Sequence, residues 1–273
     1  MAPRIPRASD ALRHHWPEYL IEGWALGMFM ISAGTFAVLL DFPGSAVHQS
    51  IMSADVRRLL AGIAMGLTAI AIIYSPWGQR SGAHMNPAVT LTFLRLGKIK
   101  GWDALFYMAA QFIGAALGVY LVLAFAGTAF SAAPVEYATT QPGAYGKWVA
   151  FIAEFAISLG LMLVVLTVSN SRRWAKFTGL AAGLLVATYI TLEAPLSGMS
   201  MNPARTVASA FPGSHWMHLW IYFAAPIGGM LSAAQIYVWW QGRGHVGCAK
   251  LRHPENQRCI HCGFEPPHPT LSP

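Results

Sequence analysis

Hydrophobic residues run along this chain in long unbroken stretches, without the alternation of a half-buried strand or the one-sided stripe of a soluble helix. Stretches free of Asp, Glu, Lys and Arg cover residues 23–40, 59–79, 104–134, 155–171, 177–192 and 206–242. A helix needs about 20 mostly apolar residues to cross a bilayer, because hydrocarbon offers its backbone groups no outside partner. Six spanning helices follow. The last stretch exceeds one span and contains Pro212 and Gly213. It divides into a short segment ending near Phe211 and a sixth helix beginning near His215. Pro134 falls in the loop after the third helix.

Polar positions orient these helices. Arg4, Arg7 and Arg13 precede the first, and Arg95, Lys98 and Lys100 lie between the second and third. Arg172, Arg173 and Lys176 separate the fourth and fifth, while Arg243, Lys250, Arg252 and Arg258 follow the sixth. The alternate loops hold mainly Arg57, Arg58 and Lys147. By the positive-inside rule both termini are cytoplasmic, with Arg57 and Arg58 as exceptions. A multi-pass protein of the cell (plasma or inner) membrane is expected, and no cleavable signal is visible. Trp16, Trp24, Trp77, Trp102, Trp148, Trp174, Trp216, Trp239 and Trp240 fall near helix ends, as interfacial anchors do.

Composition agrees. Of the 273 residues 55% are hydrophobic and only 11% charged, which excludes a soluble enzyme, a disordered chain or a coiled coil. The net charge of +7 is too thinly spread to argue for a nucleic-acid partner. The parts are an N-terminal cytoplasmic segment (1–16), a membrane domain (17–241) and a polar tail (242–273).

Self-comparison is the informative step. Residues 81–90 read SGAHMNPAVT and residues 197–206 read SGMSMNPART; seven of the ten positions match. QFIGAALG from Gln111 and APIGGMLS from Ala225 follow the two copies, and Glu22 and Glu154 occupy equivalent helices. The repeats therefore run over about 17–135 and 146–241. Three helices per repeat is an odd number, so the second copy crosses the membrane in the opposite sense. Inverted repeats place a shared site near the midplane, commonly on broken helices. Asn86 and Asn202 suit N-caps, and Pro87 and Pro203 suit the first helical position. Half-helices over roughly 86–96 and 202–211 would enter from opposite faces and meet. The alternative is two ordinary capped loops.

These residues resemble the aquaporins and aquaglyceroporins, the major intrinsic proteins. The resemblance rests on both Asn-Pro-Ala boxes, on SGAH before the first, on Arg205 after the second and on the two glutamates. It implies an all-α membrane fold with six transmembrane helices and two re-entrant half-helices in an inverted repeat. A homotetramer with one pore per subunit is implied as well. The positive ends of the half-helices repel cations, and the asparagine amides can donate to a passing oxygen. Arg205 is expected in the pore wall, with an interfacial, snorkelling arginine as the alternative. The resemblance also implies that Glu22 and Glu154 accept backbone N–H groups of the re-entrant loops; proton carriage is the other reading. His84 is expected as a loop-fixing or pore-side group. Ungapped counting places Met65, Ile190, Met199 and Arg205 at the family's size filter, a flexible apolar ring where strict water channels carry an aromatic and a histidine. Against that, Thr206 stands where glycerol facilitators commonly have aspartate, and Tyr222 and Phe223 look more like the water-channel pattern.

The function expected is a passive channel for water and small uncharged solutes such as glycerol, urea or metalloid acids, excluding protons and ions. An ion-coupled secondary transporter of a small neutral solute is the alternative. Outside the tail no metal set or nucleophile–base grouping suggests an enzyme, and no cofactor is expected in the channel. In the tail, Cys248, Cys259 and Cys262 with His253 or His261 offer enough ligands for tetrahedral zinc. Incidental cysteines are the alternative. The closing EPPHPTLSP is Pro-rich and expected to be disordered.

Overall fold

The computed structural model describes residues 7–254 and 256–266. Arg4 and most of the Pro-rich end, expected to be disordered, lie outside the described residues. The principal helices are α1 (Ala8–Asp41), α2 (Ala54–Tyr74), α3 (Pro87–Arg95), α4 (Gly101–Ala126), α5 (Lys147–Ser169), α6 (Thr178–Ser197), α7 (Pro203–Gly213) and α8 (Ile221–Gln241). Six of them are long and apolar enough to span a membrane; α3 and α7 are the half-helices.

Packing repeats the duplication. α1 lies against α4 as α5 lies against α8, and α1 meets α2 as α5 meets α6. The half-helices are exchanged between repeats: α3 packs on α8, and α7 on α4. With no hydrophobic drive between helices in lipid, close backbone approach at small residues carries the association. A Cβ on Gly27 would stand 2.9 Å from the Gly114 carbonyl oxygen, and one on Gly66 only 2.6 Å from that of Gly183. The outer faces are apolar too, with Ile113, Leu117 and Phe125 exposed on α4. That exposure suits a lipid solvent.

Several boundaries differ from the sequence reading. α1 begins at Ala8, not near Gly23, so the segment 1–16 is already partly helical. Its charges are absorbed by partners: Arg80 Nε lies 3.0 Å from Glu18, and His15 and Tyr19 reach Asp103 at 2.7 and 2.6 Å. Pro17 is accommodated within the helix. Trp24 accordingly sits mid-helix, edge-on to Trp77 at 4.8 Å, and not at a helix end. α7 continues through Pro212 to a left-handed cap at Ser214, because a proline in the last turn forfeits only one terminal N–H bond. α8 then starts at Ile221 and not at His215. The arginines that break the charge rule are tied down locally. Arg57 donates to the carbonyls of Ile51 and Met52, and Arg58 to Thr191 O at 2.8 Å and Asp55 at 2.6 Å.

Candidate pore

Each half-helix starts from a tightly specified loop. Gly82 and Gly198 take left-handed conformations (φ +107° and +79°) that end the preceding helices. Ala83 and Met85, and at matching places Met199 and Met201, are also left-handed, with φ between 49° and 54°. Such residues cost backbone energy and persist only when surroundings over-determine them. Glu22 and Glu154 provide that constraint. Glu22 accepts His84 N–H at 3.0 Å, Met85 N–H at 2.8 Å, Ser81 Oγ at 2.7 Å and Gln111 Nε2 at 2.9 Å. Glu154 accepts Ser200 N–H at 2.6 Å, Met201 N–H at 2.7 Å and Ser197 Oγ at 2.7 Å. Both carboxylates are fully buried. Tyr107 and Tyr222 complete the pairing by donating to the Ser81 and Ser197 carbonyls at 2.8 and 2.6 Å.

The loops deliver the caps to one another. Asn86 Oδ1 accepts Ala88 N–H at 2.8 Å; Asn202 Oδ1 accepts Ala204 and Arg205 N–H at 3.1 and 3.3 Å. Pro87 and Pro203 fill the first helical positions, where a missing N–H costs nothing. Each asparagine also reaches across the junction: Asn86 Nδ2 donates to Met201 O and Asn202 Nδ2 to Met85 O, both at 2.7 Å. One amide hydrogen of each is thereby spent on the opposite loop. Only the second of the two is left for a solute.

A cavity of about 210 Å³ runs past this junction. That is far more than the ~10–15 Å³ that holds one water. Met65, Ile190, Met199 and Arg205 line it together with Asn86, Asn202 and His84. Most of the remaining wall is apolar, including Phe29, Leu161 and Val165. Arg205 is half-buried, and its Nη1 is buried without a hydrogen-bond partner among the described residues. Arg205 lines the cavity as a residue, so its fixed charge stands in the wall.

His84 is fixed at both ring nitrogens. Nε2 donates to Ala249 O at 2.7 Å, and Nδ1 lies 3.0 Å from Thr90 Oγ1. Ala249 belongs to the tail, which the sequence reading had left outside the channel. Leu251 of the tail lines the same cavity, and so does Asp41 at the end of α1. The lumen thus holds an ionisable group besides Arg205 and His84, a correction to the sequence reading. The pairing of Tyr107 with Tyr222 was not legible in the sequence, because their spacings from the two asparagines differ by one residue and ungapped comparison does not align them. Thr206 is buried beside Thr140, whose Oγ1 lies 3.0 Å from its own.

In the tail, Cys248, His253, Cys259 and Cys262 come together, with their ligand atoms all within 4.8 Å of one another. His261 is not among them. It turns inward, Nε2 donating to Ser81 O at 3.0 Å, with its ring stacked 5.9 Å from His84. Burial first, and the nearby His84 second, push its pKa down to about 4, so the ring is neutral and its donor is defined.

Two re-entrant half-helices meeting cap to cap across an apolar, narrow lumen define a passive membrane channel. A family model described as "Major intrinsic protein" matches residues 15–237. Relatives include "Aquaporin NIP2-3" of Zea mays, 35% identical over 85% of this chain and 75% of that protein. "Probable aquaporin AqpM" of Archaeoglobus fulgidus is 38% identical over 75% of this chain and 92% of its own length. The solved aquaglyceroporin from Plasmodium falciparum shares the fold, with a TM-score of 0.67 at 22% identity over 81% of this chain and 95% of that one. The chain belongs to the major intrinsic protein family, a family of channels and not of enzymes. An ion-coupled transporter is not favoured: the carboxylates of Glu22 and Glu154, its natural proton carriers, are committed to loop donors.

Proposed function

We propose that this channel conducts water together with small uncharged solutes of the glycerol and urea class, metalloid acids included, and rejects protons and ions. The observation that carries the solute part is the composition of the ring. Met65, Ile190, Met199 and Arg205 all line the cavity, with no aromatic or histidine among the four. Thioether side chains change shape at little cost, so such a ring widens for a passing molecule. The Arg205 guanidinium in the cavity wall offers N–H donors to a hydroxyl or carbonyl oxygen, while its fixed charge repels cations. Two half-helix N-termini converge at the junction and carry about half a positive charge each, adding to that barrier.

The working unit in this reading is a homotetramer in the plasma or inner membrane with both termini in the cytoplasm. The basic residues flanking α3, those between α5 and α6 and those after α8 support that orientation. Stopped-flow light scattering on proteoliposomes tests the proposal. Osmotic shrinkage no faster than in empty vesicles rejects water conduction. Glycerol, urea and arsenous acid uptake equal with and without protein removes the solute part.

A further inference from the structure

We propose that Cys248, His253, Cys259 and Cys262 bind one thiophilic divalent cation of the zinc class, and that this ion holds the tail in the cytoplasmic mouth of the pore as a metal-dependent gate. The flux half of the proposal rests on the channel reading; the binding half does not.

Donor geometry comes first. Zinc–sulfur and zinc–nitrogen bonds of about 2.3 and 2.0 Å put tetrahedral ligand atoms roughly 3.5–3.8 Å apart. Cys248 Sγ and Cys259 Sγ lie 3.4 Å apart, and His253 Nε2 and Cys262 Sγ 3.2 Å apart. All four atoms fall within 4.8 Å. Thiols and an imidazole at tetrahedral spacing select zinc over oxygen-seeking cations. The backbone around the Cys-x-x-Cys turn is already wound for ligation. Gly263 is left-handed (φ +75°), its N–H donates to Cys259 O at 3.0 Å, and Cys259 N–H donates to Phe264 O at 2.9 Å. Three thiolates and one imidazole on a divalent ion leave a net negative charge. Lys250, 2% exposed and two residues from Cys248, is the cation placed to answer it.

The second part follows from where the ligands stand in the chain. The first two, Cys248 and His253, bracket the segment that enters the pore. Between them, Ala249 O accepts a hydrogen bond from His84 Nε2 at 2.7 Å, Leu251 N–H donates to Gly82 O at 3.1 Å, and the Leu251 side chain lines the cavity. From the other ligand pair, His261 donates to Ser81 O at 3.0 Å. A bound ion closes the loop 248–253 on itself and on the 259–262 turn. The whole unit is then docked against the loop that carries Asn86. Without the ion, three hydrogen bonds and the Leu251 side chain must hold this segment against its own conformational entropy.

The test uses the full-length protein. Zinc is measured per chain after purification without added metal. Cobalt(II) loading of the stripped protein is followed for thiolate charge-transfer and tetrahedral visible bands. One zinc per chain and those bands are expected. Loss of both is expected in Cys259→Ser combined with Cys262→Ser, and retention with a shifted spectrum in His253→Cys. No metal and no cobalt bands in the wild type, or thiols consumed in a Cys248–Cys259 disulfide, overturn the site. Proteoliposome water flux is then compared before and after a membrane-permeant zinc chelator. A severalfold rise on stripping, reversed by zinc and absent in the double serine variant, is expected. Bound zinc with an unchanged, measurable flux overturns the gate and leaves the site. No flux in either state, with zinc bound, refutes the channel reading and not the metal.

Discussion

Replacing Glu154 with glutamine is nearly isosteric, yet it should destabilise the channel and slow it. Oε1 receives two hydrogens, from Ser197 Oγ and Ser200 N–H, and Oε2 receives one from Met201 N–H. A glutamine keeps one acceptor oxygen and turns an NH₂ group toward the remaining donor. Its best placement saves the Ser197 and Ser200 bonds and leaves Met201 N–H facing a donor in a fully buried site. An unsatisfied buried N–H costs about 1–3 kcal/mol. Glu154→Ala strands two backbone donors, for roughly 2–6 kcal/mol. Glu22→Gln should cost more than Glu154→Gln, because each Glu22 oxygen accepts two donors. The Met201 carbonyl also anchors Asn86, so a displaced loop moves the opposite cap as well. Thermal unfolding in detergent should rank wild type above Glu154→Gln, and Glu154→Gln above Glu154→Ala. Water flux in proteoliposomes should fall in the same order. A glutamine variant as stable and as permeable as wild type would refute the claim that carboxylate acceptors hold the re-entrant loops.

Met199→Phe narrows the ring and should cut glycerol and arsenous acid uptake before water; an unchanged solute profile means the constriction lies elsewhere. Arg205→Ala removes the fixed cation from the wall and should admit protons or small cations, read with a trapped pH-sensitive dye; a tight variant assigns the barrier to the half-helix ends alone. Gly66→Leu cannot fit 2.6 Å from the Gly183 carbonyl, so α2 and α6 must separate. Loss of the folded species on size-exclusion chromatography is expected, and a normal profile would contradict the close crossing.

How far the sequence could be read depended on whether a signal was local or tertiary. Asn86-Pro87 and Asn202-Pro203 are local: cap and first-turn chemistry announce a helix start wherever they occur, and duplication tells that the starts are paired. Glu22 and Glu154 were legible because a charge inside an apolar stretch demands an explanation. Helix ends were not, since α1 carries Glu18 and Glu22 within its length only because Arg80 and the SGAH loop lie opposite. The spanning helices are apolar on nearly every side, so no periodicity tells the lumen face from the lipid face, and Asp41 could not be assigned to the cavity. The place of Leu251 against Gly82 depends on how a polar tail folds back under the bundle. No pattern within the tail encodes that return, although its four ligands were readable as residue types.

The most direct test of a pore built on two opposed half-helices reads water and protons at once. Proteoliposomes carrying a pH-sensitive dye are given an osmotic step, with and without ionophores that collapse the proton and sodium gradients. Rapid shrinkage at constant internal pH, unchanged by the ionophores, is the predicted result. Shrinkage that disappears when the gradients are collapsed, or that moves protons with the water, would contradict it.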